Sequence, residues 1–188
     1  MSMMQTAPYL DTISKELSRS VDLISEEQVE QLADRILRSK KVFVAGAGRS
    51  GLMVRAFAMR MMQMGIEAYV VGETVTPNME TEDMLIIGSG SGETRSLVPM
   101  AEKAKGLGGS VAVVTIFPES TLGTIAALAV KLPGAPKDQS SNIAQTIQPM
   151  GALFEQTLLI YFDAVILKIM EKQGLNSGTM FGRHANLE

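Results

Sequence analysis

The sequence predicts a doubly wound α/β domain with an N-terminal helical extension. Short apolar runs of four to six residues alternate with longer segments of helical periodicity. The runs are apolar throughout rather than alternating, as strands are when helices cover both faces of a parallel sheet. Glycines stand where the runs give way to helical segments.

Residues 1–40 read as helical. Leu10, Ile13, Leu17, Val21 and Ile24 form one stripe. Ser25-Glu26-Glu27-Gln28 fits a capping box, with the Ser25 hydroxyl and the Gln28 side chain satisfying free amides reciprocally. Val29, Leu32, Ala33, Ile36 and Leu37 then continue at helical spacing.

The core is expected over 41–133. Its first strand, Val42 to Ala45, ends in Gly46-Ala47-Gly48, and a helix from Ser50 to Met64 stops at Gly65. Strands follow at 68–71 and 84–87. A helix from Thr94 to Leu107 is ended by Gly108-Gly109, and a fourth strand spans 111–116. A short helix near 121–127 leads to a fifth strand, 129–132. The Pro/Gly/Ser-rich stretch 133–141 reads as a loop. A long apolar helix over 146–173 and a tail, 174–188, complete a single domain.

Composition narrows the function. The chain has 188 residues, enough for one sizeable core, and is 46% hydrophobic and 20% charged, a globular balance. Net charge is −3, with both signs spread along the chain, which argues against a face for nucleic acid. There is no cysteine, so disulfides and thiolate metal sites are excluded. The single histidine, His184, excludes a multi-histidine metal site. The start, Met1 to Gln5, has neither a basic nor an apolar leader region. No apolar stretch reaches the ~20 residues of a membrane span. A soluble, cytoplasmic protein is expected.

Two glycine loops follow strands where open parallel sheets bind ligands. Gly46-Ala47-Gly48-Arg49-Ser50-Gly51 matches the dinucleotide pattern G-x-G-x-x-G, and Glu73 stands where a ribose-binding acid would. The same glycines also suit a plain tight turn. In Gly88-Ser89-Gly90-Ser91-Gly92-Glu93-Thr94, the hydroxyls of Ser89, Ser91 and Thr94 and the amides of Gly90, Gly92 and Glu93 are expected to face one spot at a helix N-terminus. No lysine follows, so this is not a nucleotide P-loop. The chemistry suits one phosphate monoester. An ordinary capped turn needs one hydroxyl rather than three.

The second loop resembles the phosphate loop of sugar isomerase (SIS) domains, and the first resembles their other substrate loop. Further on, Pro136-Lys137-Asp138-Gln139-Ser140, Gln148-Pro149-Met150-Gly151, Leu153-Phe154-Glu155-Gln156 and His184-Ala185-Asn186-Leu187-Glu188 resemble the 6-phospho-3-hexuloisomerase family. The resemblance covers essentially the whole chain. It implies a five-stranded parallel sheet of flavodoxin-like topology. The implied reaction interconverts D-arabino-3-hexulose 6-phosphate and fructose 6-phosphate without metal or cofactor. The implied enzyme is a homotetramer that acts after hexulose-phosphate synthase in the ribulose monophosphate route of formaldehyde fixation.

The resemblance assigns the base to Glu155, early in the most apolar helix, where desolvation tunes a carboxylate for proton transfer. Gly48, Arg49 and Ser50 are expected at the sugar, with Arg49 contacting its oxygens or stabilising an enediolate. Glu93 is a second carboxylate near the site, or its side chain orients Arg49 or faces solvent. The tail is expected to fold over the site, in this chain or a neighbour, with His184 protonating a ring or carbonyl oxygen. Met59, Met61, Met62 and Met64 share one helix, and some are expected between subunits. Arg55 and Arg60 are expected to be surface or interface charges. A non-catalytic phosphosugar-binding module, a dinucleotide enzyme, and isomerases of heptose phosphates or arabinose 5-phosphate are the alternatives.

Overall fold

The structure is a computed structural model that describes residues 6–135 and 146–187. The Pro136–Ser140 motif and most of the expected 133–141 loop therefore lie outside the described residues. Twelve elements follow one another: α1 (Ala7–Val21), α2 (Glu26–Arg38), β1 (Val42–Gly46), α3 (Gly48–Met64), β2 (Ala68–Val70), β3 (Met84–Gly88), α4 (Val98–Gly106), β4 (Ser110–Thr115), α5 (Thr121–Ile125), β5 (Leu128–Lys131), α6 (Ala152–Gln173) and α7 (Ser177–Phe181).

The five strands form one parallel sheet in the order β2-β1-β3-β4-β5. This is the expected doubly wound topology. Alternate residues of each strand feed opposite cores. Val42, Val44, Met84, Ile86, Ala112 and Val114 pack under α2, α3 and α6. Phe43, Ala45, Leu85, Ile87, Val111 and Val113 pack under α4 and α5. Because both faces are covered, the strands read as continuous apolar runs. Phe57 of α3 and Phe162 of α6 stack with centroids 4.2 Å apart, fixing the two helices on one face.

Chain order reverses between β1 and β3, and the two strands end side by side, Gly46 opposite Gly88. Their loops therefore open onto the same crevice. A Cβ on Gly46 would lie 2.9 Å from the Gly51 Cα, so the turn into α3 closes only with both glycines.

Four local expectations are corrected. Half of the capping box forms: Ser25 Oγ accepts from the Gln28 amide, but the Gln28 side chain reaches away to β5. There its Nε2 donates to the Ala129 carbonyl at 3.1 Å, and its Oε1 accepts from the Lys131 amide at 3.3 Å. Distant backbone on the sheet's outer edge outcompetes the local cap. Next, α4 starts at Val98 rather than Thr94; residues 94–97 form a turn instead, and Pro99 sits at the helix start. The long helix starts at Ala152 rather than near 146–149, after Met150 (φ 57°) and Gly151 (φ 80°), both left-handed. Last, the tail contains α7. It packs on α3, where the Arg183 guanidinium donates to the Met64 carbonyl at the end of that helix.

Among the described residues, no helix is long and apolar enough to cross a membrane.

Candidate active site

The crevice between the β1 and β3 loops and the start of α6 encloses about 380 Å³. Ala47, Gly48 and Ser50 line it from the first loop, Ser89, Gly90, Ser91 and Thr94 from the second, and Phe154 and Glu155 from α6. Two segments far apart in sequence thus meet the most apolar helix at the sheet's switch point. Ile116 and Ala135 join the wall without having been marked by the sequence, and Gly151 and Phe154 join it from motifs that carried only the resemblance. A glycine after Met150 and a phenylalanine beside Glu155 were the available signals.

The hydroxyl-rich loop is braced from below. Ser89 Oγ and Thr94 Oγ1 are hydrogen-bonded at 3.0 Å. The Gly92 amide donates to Ser89 Oγ and the Glu93 amide to Ser91 Oγ, both at 3.2 Å. Thr115 Oγ1 and the Ile116 amide both donate to the Gly90 carbonyl. Ser89, Ser91 and Thr94 all border the crevice. The N-terminus of α4 does not, because that helix begins four residues beyond Thr94; the first residues of α3 and α6 border the crevice instead.

Glu93 is exposed, the last of the alternatives left open for it. Its Oε1 accepts from the Thr121 amide at 2.7 Å, and that bond holds the carboxyl below the usual carboxylate range. The side chain caps α5 and ties the loop to it; neither the sugar crevice nor Arg49 is its partner.

Glu155 lies in the first turn of α6 with only 7% of its side chain exposed. Arg49 Nε stands 3.0 Å from Glu155 Oε2, while the Arg49 side chain is 60% exposed. The contact pairs charge without an aligned hydrogen bond, and Oε2 accepts none from the described residues. A buried carboxylate is thus charge-compensated by Arg49, with Oε2 shielded from solvent.

His184 is not brought to Glu155 within the chain. It borders a separate depression with Arg60, Asp163 and Phe181, on the side of α3, α6 and α7. Its Nδ1 lies 2.9 Å from the Ala185 carbonyl. The tail therefore does not cover the crevice of its own subunit. Glu73 is engaged by Arg55 at 2.6 Å, which takes the ribose-binding acid away from a dinucleotide reading. Among the described residues, no three His, Asp or Glu side chains gather as metal ligands.

The architecture and crevice are those of a phosphosugar-handling α/β domain. A family model of the SIS domain matches residues 35–160, and the chain belongs to the SIS domain family. It is 58% identical over 185 residues to the 3-hexulose-6-phosphate isomerase of Bacillus subtilis (strain 168), covering 98% of this chain and 100% of that one. It is 39% identical to the 3-hexulose-6-phosphate isomerase of Mycobacterium gastri, covering 95% and 89% of the two chains. A crystal structure of a hypothetical protein from Methanococcus jannaschii, from which a molecular function of 3-hexulose-6-phosphate isomerase was inferred, superposes with a TM-score of 0.83 at 35% identity. That match covers 96% of this chain and 99% of the other. The resemblance read from the sequence holds.

Proposed function

We propose that this chain is a 3-hexulose-6-phosphate isomerase, the activity also called 6-phospho-3-hexuloisomerase. It interconverts D-arabino-3-hexulose 6-phosphate and fructose 6-phosphate, the isomerisation step of formaldehyde fixation through ribulose monophosphate. Its relatives' activity supports this, and the observation that carries the mechanism is Glu155: buried in the crevice, charge-paired by Arg49, and with Oε2 accepting no hydrogen bond.

In the proposed mechanism, Ser89, Ser91 and Thr94 hold the phosphate through their hydroxyls, with Gly90 allowing close approach and Gly92 and Glu93 holding the loop's shape. Gly48 and Ser50 border the sugar. Glu155 removes the proton from C2, leaving a cis-enediolate over C2 and C3. The same carboxylic acid returns the proton to C3, while the C2 hydroxyl proton moves to the C3 oxygen, and the carbonyl is left at C2. Arg49 stabilises the enediolate charge. No metal or cofactor takes part in this scheme.

The working enzyme is a cytoplasmic homo-oligomer, a tetramer by family resemblance, coupled in function to the synthase that makes its substrate. Exposed Leu52, Met59 and Met62 on α3, with Ile160 and Leu167 on α6, supply apolar surface for it. The buried Met61 and Met64 belong to the core instead. His184 reaches the crevice of a neighbouring subunit and protonates a substrate oxygen there.

Incubating the chain with fructose 6-phosphate in deuterated water, with chelator present, tests the base. NMR is expected to show C–H exchange and 3-ketose formation, with both lost in Glu155→Gln. A one-base mechanism is sunk if that variant, properly folded, still exchanges.

A further inference from the structure

The start of α6 carries Glu155 but lacks a helix cap of its own. Gly151, at the capping position, has no side chain, and no side-chain cap bond is made. The Ala152 amide donates to the Pro149 carbonyl, and the Glu155 amide to the Gly151 carbonyl at 3.2 Å. The Glu155 backbone is therefore tied to the turn that precedes it. That turn contains Met150 at φ 57°, a conformation a non-glycine residue keeps only where its surroundings impose it.

The imposing group comes from the other end of the chain. Glu16, on α1, accepts three hydrogen bonds from residues 146–148: Thr146 Oγ1 at 2.6 Å, the Ile147 amide at 2.9 Å and Gln148 Nε2 at 2.8 Å. Thr146 Oγ1 in turn accepts from the Gln148 amide at 3.0 Å, closing the network. Gln148 is 4% exposed. Among the described residues, each side chain or amide of 146–148 that bonds to another element bonds to Glu16. An ionised carboxylate offers acceptors for all three donors and no competing proton. Burial opposes that charge, but the bonds from Thr146, Gln148 and Ile147, with Arg19 nearby, outweigh it. α1 itself lies ahead of residues 35–160, the part matched by the family model.

We infer that Glu16 is a positioning residue for the isomerisation: from α1 it clamps residues 146–148, fixes the left-handed turn into α6, and so sets the Glu155 carboxylate beside Arg49 and the hydroxyl-rich loop. This rests on Glu155 being the base. The clamp touches neither sugar nor phosphate. Its loss leaves phosphate binding in place and misplaces the proton-transfer group.

The test is steady-state kinetics with fructose 6-phosphate on Glu16→Gln, with phosphosugar-binding stoichiometry measured on the same samples. Glu16→Gln is expected to lower kcat by on the order of tenfold to a hundredfold, the effect of a displaced catalytic group. KM should stay within about threefold and every chain should still bind. Thr146→Val, a milder change, should give a smaller kcat loss in the same sense. Gln148→Leu should reproduce Glu16→Gln, and the double variant should add little. An unchanged kcat in folded Glu16→Gln overturns the inference. So does a kcat loss matched by an equal loss of binding sites, which marks a structural role. Retained exchange in Glu155→Gln instead overturns the base assignment, and the positioning role with it.

Discussion

At the scale of single residues, Glu155 and Glu93 show how position along a chain differs from direction in space. Both were picked out as acids near the sugar. Glu155 faces the crevice because the first turn of α6 is packed among buried Ala152, Leu153, Phe154 and Leu158. Glu93 turns the other way because the free Thr121 amide at the start of α5 attracts an anion. Glu93→Gln is expected to weaken that cap, loosen the loop and raise KM for fructose 6-phosphate by roughly threefold to tenfold, about the difference between a charge-assisted and a neutral hydrogen bond. Its kcat should change less, because Glu93 approaches no reacting atom. Kinetics at saturating and limiting substrate separate the two, and a kcat-only effect would return Glu93 to the chemistry. Hydroxyl spacing made Ser89, Ser91 and Thr94 legible in the sequence. Glu16 was invisible there, because its partners lie 130 to 132 positions away and nothing local marks a carboxylate that serves them.

At the scale of elements, the strands were legible because burial on both faces leaves β1, β3 and β4 as apolar runs, and the half-buried edge strands β2 and β5 are short apolar runs beside them. Helix boundaries were less so, since they answer to distant groups. Thr94 looked like a helix start, yet its hydroxyl is taken by Ser89 and the helix waits for Val98. One packing is held by charge as well as by apolar contact. Lys168 and Lys172 of α6 reach Glu30 of α2 at 2.6 Å each, and Lys172 also reaches Asp34 at 3.0 Å. The bonds from Lys168 and Lys172 hold the Glu30 carboxyl below its ordinary value of 4.5. A carboxyl with a depressed folded pKa stabilises the fold above its unfolded pKa and loses that contribution as pH falls through the folded value. Glu30→Gln should therefore lower Tm at neutral pH by at most a few degrees, since the ladder is solvent-screened. The difference should shrink in high salt and vanish below the carboxylate range. Thermal melts across pH and salt measure it; a difference that persists in acid would assign the effect to packing.

At the scale of the whole molecule, the crevice lies at the sheet's switch point, and the tail packs elsewhere, on α3. Arg183 pins the tail to the end of α3, so His184 and the exposed Phe181 are presented outward. The closing motif marked His184 as functional, and within its own chain it borders a depression away from Glu155. If it acts across a subunit boundary, Glu155→Gln and His184→Ala are complementary lesions. Dissociated, mixed in equal amounts and reassembled, the two weakened variants should recover about a quarter of wild-type sites, the share that draws one intact residue from each partner. Light scattering on the same sample reports the assembly. Mixing without recovery would confine His184 to a structural part.

The side chain of Gln28 has a consequence beyond its helix. With one carbonyl and one amide group it imitates a residue of a sixth strand, and it occupies the Ala129 and Lys131 positions on the outer side of β5. An open strand border is a template on which another chain can grow, and a sheet that ends in free backbone invites polymerisation. Along β5 this sheet instead ends on a borrowed amide, which leaves those two backbone groups no partner to offer an incoming strand.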